Sequence, residues 1–440
     1  MASGHAGVLD RPMRHAPGPA VPEQPPVRRT VGAAVATIAI VLVLSEAVAD
    51  ALPDDPIRFN VTPVRLAIIL GLVGICFAGV MVRSLRTRLD VPILVLLAAA
   101  GFATLVHSQS FSAWRGLLAG VAAYYLAVGA RRGGALSFGT LATIALVFVA
   151  VPAGVALGQA SNQTSTGFCR SGLGGELSNV CNDDAMVRVV GTFYNPNLLA
   201  AFLVMFVPLA VVGALGVADR SLRALAFTVI GGSYIAILAT FSRGGMAAAF
   251  VGAVVLVVLL KPTRRRLTVA GVAAGVGGLL LVFLMVVRGG VGVRTEVWSA
   301  ALRVAAENPL GTGLGLSGHL VAGRVPGTEA FVHVHNLWLN WLVETGVVGG
   351  VAVVVITVLV GIRVGRAALA GSKMAAALAG GLASFAVVSM VDHPANSMAI
   401  SLVMWLMLGL AETSWEPSPL PAAIRHKGRR AARRTRVRRS

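Results

Sequence analysis

Long apolar stretches, broken by short charged connections, run along almost the whole chain. They fall at about 31–48, 64–82, 91–106, 113–130, 136–158, 196–217, 222–241, 244–260, 267–287, 337–362, 374–391 and 396–411. Each approaches the ~20 apolar residues that a helix needs to cross about 30 Å of hydrocarbon. The 91–106 run is short, and 113–130 carries Arg115. Only helices and closed barrels satisfy their backbone in lipid, and these runs lack strand alternation. The pattern therefore predicts an all-α integral membrane protein with about 12 transmembrane helices.

Residues 1–30 are proline-rich and polar and read as a disordered cytoplasmic lead. They do not read as a cleaved signal peptide, because the first apolar run comes late and lacks a small-residue cleavage site. Residues 31–411 form the polytopic membrane domain. Residues 412–440 form a basic tail ending RHKGRRAARRTRVRRS.

Composition removes the soluble alternatives. Hydrophobic residues make up 56% of the 440 residues and charged residues 12%. A soluble domain carries roughly a quarter of its residues charged. The net charge of +19 would suit a nucleic-acid partner, but its placement argues otherwise. The basic residues gather in alternate connections, as in Arg83, Arg86 and Arg88; Arg131 and Arg132; Arg220 and Arg223; Lys261 and Arg264; Arg363, Arg366 and Lys373. That is the positive-inside pattern, and it puts both termini in the cytoplasm of a multi-pass protein of the cell (inner) membrane. The basic tail then meets anionic lipid headgroups. No base-reading module accompanies the charge, so no nucleic acid is expected.

Two outer connections are long, about 159–195 and 288–336, and loops of that length carry function or disorder. Cys169 and Cys181 both lie in the first, where a disulfide would staple the loop. Cys76, inside an apolar run, reads as a small apolar filler.

Four polar clusters mark the outer face. Arg188 precedes Asn195-Pro196-Asn197, a turn and helix start with Asn as cap. Phe241-Ser242-Arg243-Gly244-Gly245 puts one arginine between two apolar helices, where it either snorkels to headgroups or serves an anion. Arg294, Glu296 and Trp298 open an amphipathic stretch, followed by Asn308-Pro309 and a glycine-rich Gly313-x-Gly315-x-x-Gly318. No βαβ context surrounds those glycines, so a dinucleotide loop is rejected in favour of a flexible turn near a ligand. His333-x-His335-Asn336, with Glu344 downstream, admits three readings: metal ligands that need a third partner such as His319, Glu329 or His393, a polar helix entrance, or a catalytic base and substrate contact. Trp338 and Trp341 would be interface anchors or sugar-stacking surfaces. Asp392 and His393, before the last run, belong to the same outer constellation. Several arginines and a histidine at a membrane surface suit a diphosphate ester beside a hydroxyl, since guanidinium forks bind phosphate bidentately.

The motifs GTFYNPNLLAAF, FSRGG, RTEVW with ENPLGTGLG, and HVHNLWLNWLVETGVVG, in that order, resemble those of the O-antigen ligase and polymerase superfamily. The resemblance covers roughly 185–350. It implies a polytopic GT-C-like glycosyltransferase that takes a glycan from a polyprenyl-diphosphate carrier. The glycan passes to a hydroxyl of a glycan, lipid or protein on the outer face of the cytoplasmic membrane. It implies catalytic roles for His335, Arg243 and Arg294 and substrate binding by Arg188, His333, Asn336 and Asn197. It implies no cofactor and no metal. The alternatives are a polysaccharide polymerase of the same superfamily and a small-anion, bicarbonate-type transporter. A transporter would carry broken helices and mid-membrane polar residues, whereas the polar residues here gather at the rim.

Overall fold

The computed structural model describes residues 26–49, 62–108, 111–170, 177–178, 185–269, 271–272, 275, 293–328 and 331–416. In chain order the helices are α1 (Pro26–Ala49), α2 (Pro63–Phe77), α3 (Asp90–Val106), α4 (Ser112–Arg132), α5 (Phe138–Ser161), α6 (Pro196–Gly216) and α7 (Arg220–Ala239). They continue with α8 (Arg243–Leu260), α9 (Arg294–Glu307), α10 (Ser317–Ala322), α11 (Leu337–Leu369), α12 (Lys373–Ser389) and α13 (Met398–Glu412). Every expected apolar run coincides with one of them except 267–287, which lies largely outside the described residues, as do most of the lead, Cys181 and the tail from 417. Among the described residues six helices, α1, α5, α6, α7, α8 and α11, are long and apolar enough to cross a membrane, and α2, α3, α12 and α13 are shorter apolar helices. In α4, Arg115, Tyr124 and Tyr125 dilute the apolar content. The architecture is that of an all-α membrane protein.

The sequence sets the helix ends. Ser137, Asn195, Asp219, Ser242, Asn336 and Ser372 each accept a hydrogen bond from a first-turn backbone N–H as N-caps. Such caps satisfy donors that a helix start leaves open. The run at 64–82 ends early, at Phe77, because Gly79 turns left-handed (φ 89) and its N–H reaches Cys76 O. That is the glycine stop expected just past a helix C-terminus.

Small residues bring the helices together. A side chain at Gly252 of α8 would collide with Ser384 of α12, and one at Gly120 of α4 with Trp405 of α13. Lipid tails are as apolar as leucine, so close packing of small residues replaces the hydrophobic drive between membrane helices. α6 lies at the centre, buried along most of its length, with Phe202 stacked on Phe206 at 4.9 Å. In the loop between α5 and α6, three two-residue strands, β1 (Cys169–Arg170), β2 (Leu177–Ser178) and β3 (Met186–Val187), pair antiparallel in the order β2-β1-β3. Cys169 there is disulfide-bonded and Cys76 is free.

One end of the bundle gathers basic connections. Arg132 donates to Ser84 O and Arg86 O and pairs with Glu416 at 2.8 Å, and Arg363 pairs with Glu412 at 3.2 Å. These are the connections that the charge pattern assigned to a single side.

At the other end α11 is interrupted. Gly346 has φ 70 and ψ −174, so the helix breaks two and a half turns in. The break frees backbone groups, and the Pro309–Gly313 strap satisfies them. Thr312 N–H donates to Val343 O (2.9 Å), Gly313 N–H to Glu344 O (3.1 Å), and Val347 N–H to Pro309 O (3.0 Å). The glycines of this segment permit backbone to lie on backbone, since a side chain at Gly311 or Gly346 would strike the opposite main chain. The strap ends at Gly313, where the expected turn of Gly313, Gly315 and Gly318 begins. Gly346 occupies a conformation essentially reserved to glycine, where a side chain costs about 1–3 kcal/mol of strain. Gly346→Ala should therefore destabilise the purified protein by at least ~1–3 kcal/mol, read as a lower thermal midpoint in detergent.

Candidate functional site

The break and its strap fix the start of α11, and the polar cluster is built there. Val334 is fully buried against Val297 and Val304 of α9, which leaves His333 and His335 on either side of it half-buried. His335 adopts φ +53, a left-handed backbone uncommon outside glycine, and Asn336 then caps α11. Asn340 Oδ1 accepts from Val334 N–H at 3.2 Å and lies 2.7 Å from Ser317 Oγ, which is also 2.7 Å from Glu344 Oε1. Two polar residues of α11 thereby anchor both the α10 segment and the histidine loop.

Asp392, in the short connection between α12 and α13, is the organising charge. Its Oδ1 lies 3.2 Å from His335 Nδ1 and 3.6 Å from His333 Nε2, and it accepts from the His393 N–H at 2.8 Å. Its Oδ2 accepts from Asn197 Nδ2 of α6 at 3.0 Å. Asn336 Nδ2 donates to Met390 O at 3.0 Å and ties α11 to the same connection. Burial alone would raise the Asp392 carboxyl. The hydrogen bond from His335, the nearby His333 and His335 charges and the His393 N–H outweigh it and hold the group well below the usual carboxylate range. An ionised carboxylate only accepts, so His335 donates through Nδ1 and keeps its lone pair on Nε2. His333 Nδ1 accepts from the His335 N–H at 3.1 Å. Desolvation is the main reason its imidazole is pushed down to about 4, against the pull of Asp392 and with further depression from His335 and Arg294.

The arginines stand around this cluster. Arg294 opens α9 and is close enough to His333 to disfavour its charged form. One turn on, Trp298 Nε1 donates to His335 O at 3.3 Å. Arg243 is exposed at the start of α8, where its charge adds to the positive end of the helix dipole. Among the described residues it has no ion pair. Its neighbour Gly244 packs on Val391, directly before Asp392. Arg188 is placed differently: it is 7% exposed, its Nε donates to Thr240 O at 2.9 Å, and burial with the neighbouring Arg170 pushes it down to about 10. It braces the α7–α8 turn that presents Arg243, so its contact is structural before it is a substrate contact. The structure thus brings together His333, His335, Asn336 and Asn197 through Asp392, with Arg294 and Arg243 on adjoining helix ends.

Sequence reasoning gave no role to Asn340, Ser317 or Trp298 and put Asp392 only at the margin. A lone acid in a short outer connection was the available signal. His333, His335 and Asp392 each offer a ligand atom, all within 4.8 Å of one another, and that set could hold a divalent ion. The arrangement can hold an anion, orient an imidazole and take up a proton at His335 Nε2.

Stability should follow the buried imidazoles. His333 is pushed down to about 4 and His393 to about 3, chiefly by desolvation. An unfolded chain binds these protons below about 6.5 while the folded one refuses them, so stability falls as pH drops from about 6.5 toward 4. The Asp392 contribution, from a depressed carboxylate, persists until pH falls below the ordinary carboxylate value near 3.9. The thermal midpoint in detergent should fall between pH 7 and 4.5, and His393→Asn should flatten part of that fall.

No curated protein is similar enough to this chain to count as a relative. A family model matches residues 225–354, a segment containing Arg243, Arg294, His333, His335 and Asn336 but not Arg188, Asn197 or Asp392. The matched family is O-antigen ligase, a family of glycan-processing enzymes, and the match supports the resemblance to the O-antigen ligase/polymerase superfamily over that segment.

Proposed function

We propose that the protein is a GT-C-like glycosyltransferase of the cytoplasmic membrane, with about 12 spans and both termini inside. It transfers a glycan from a polyprenyl-diphosphate carrier to a hydroxyl acceptor on the outer face. The observation that carries this reading is the pairing of His335 with a buried, ionised Asp392, with Arg294 and Arg243 at the starts of α9 and α8. An apolar cavity of about 350 Å³ supports a lipid-linked donor. Leu337, Trp338 and Trp341 line its end by the site, and Val360, Val364 and Leu408 line it farther along α11 and α13.

In this mechanism the acceptor oxygen attacks the anomeric carbon and gives its proton to His335 Nε2. The bond from that carbon to the diphosphate oxygen breaks, and the polyprenyl diphosphate leaves with the electron pair, inverting the centre. Asp392 stabilises the imidazolium that forms, and Arg243 and Arg294 hold the charge developing on the leaving oxygens. Arginine supplies that charge without a metal. A glycan that serves as its own acceptor makes the enzyme a polymerase; any other acceptor makes it a ligase.

Cells lacking the gene should accumulate polyprenyl-diphosphate glycans, and restoring the wild-type chain should clear them. His335→Ala and Asp392→Asn should each leave the pool high, with transfer reduced about 10²–10⁴-fold, the range of a general base. Arg243→Lys should also lose activity, because an ammonium cannot replace a guanidinium fork. An unchanged pool in the deletion would refute the reading. In purified protein a chelator should leave transfer unchanged, while added Zn²⁺ should inhibit by occupying His333, His335 and Asp392.

A further inference from the structure

A second cavity, of about 590 Å³, lies beside the histidine cluster, enclosed by α1, α2, α4, α11 and α13. Its wall mixes polar and apolar groups, unlike the almost wholly apolar cavity along α11, and Trp341 is the residue common to both walls. Glu46, Arg65, Tyr194, Glu344 and Ser401 contribute to its lining, together with His393. Its volume falls within the ~300–1,000 Å³ of small-molecule sites.

His393 connects this cavity to the chemistry. It is 4% exposed, and among the described residues its Nδ1 has no hydrogen-bond partner. A buried polar atom left in that state costs free energy unless something completes it. Its ring lies 5.7 Å from that of His333, and its N–H is bound to Asp392. The cavity wall and the reacting cluster thus share one residue. Arg188, Arg243 and Arg294 do not line the cavity. The lining holds one arginine, Arg65, and two acidic residues, Glu46 and Glu344, so it carries no surplus of cations to hold a phosphate. Hydroxyl, amide and carboxyl groups with two aromatic rings are the partners that a sugar takes.

We propose that this cavity is the acceptor subsite and that it receives a neutral glycan hydroxyl. The proposal rests on the transferase reading above and divides the site at Trp341, with the lipid of the donor on one side and the acceptor sugar on the other.

Gly116, on the α4 wall, gives the test. A Cβ at Gly116 meets only Met398 Sδ, at 3.5 Å, so a larger side chain can grow into the cavity. The protein, in nanodiscs, is given lipid-linked glycan from the deletion cells as donor and the envelope glycan fraction of the same cells as acceptor. Gly116→Leu should raise the KM for acceptor at least tenfold and leave the KM for donor unchanged. An unchanged acceptor KM, or a donor KM that rises in parallel, overturns the proposal. Ser401→Phe fills the same cavity from α13 and serves if Gly116→Leu lowers the thermal midpoint. Linkage analysis of the wild-type product is independent of both variants. Attachment to an uncharged sugar supports the proposal, and attachment to a phosphorylated residue overturns it. If the wild-type chain consumes no donor, the transferase reading itself has failed, which these variants cannot mimic.

Discussion

A carboxylate taken out of water must be matched from all sides, and Asp392 meets that demand with groups drawn from three parts of the chain. Isolated, it would cost several kcal/mol to bury. Its two oxygens instead meet Asn197 of α6, both histidines before α11 and the following backbone N–H. The ends of α6, α11 and α12 can therefore close only in one arrangement. The same contacts that satisfy the charge fix the orientation and tautomer of His335. A structural requirement and a chemical one are met by the same atoms.

The second constraint is the absence of water to complete a broken helix in lipid. α11 breaks at Gly346, and its freed carbonyls are met by the Pro309–Gly313 strap. His107 adds a contact from α3, with Nε2 2.9 Å from Gly311 O. The strap continues through α10 to the histidine loop, where Ser317 and Asn340 hold it. Precision at His335 thus begins with a backbone pairing nine residues into a helix. This explains why the segment carries glycines where a plain loop would not need them.

The helices were largely legible in the sequence, because apolar length decides them. The run at 196–217 became α6 at Pro196–Gly216, and that at 244–260 became α8 at Arg243–Leu260. Gly79 shows where length alone misleads, since the 64–82 run stays apolar past the residue that stops the helix. The histidine pair and its arginines were legible as types and spacings. Their convergence was not, because Asn197 and Asp392 are 195 residues apart, and no spacing rule reaches that far. Arg188 was read as a substrate contact because its charge was visible, whereas its bond to Thr240 O, made across 52 residues, was not. The backbone partner of the glycine-rich segment lay within α11 and left no mark in the segment's own composition.

The interrupted helix bears on the competing transport reading. Transporters use broken helices near the membrane centre to offer unwound carbonyls and helix ends to a passing ion. Here the break lies near the start of α11, and the carbonyls of Val343 and Glu344 are already taken by Thr312 and Gly313. The Glu344 side chain is likewise engaged by Ser317. What remains open is the rim: Arg243 without an ion pair among the described residues, and the two cavities divided at Trp341, one apolar and one of mixed lining. An ion pathway needs continuity through the bundle, whereas a transferase needs a long lipid and a sugar to meet at one charged point. The division at Trp341, with His393 of the histidine cluster in the wall of one cavity, favours the second arrangement.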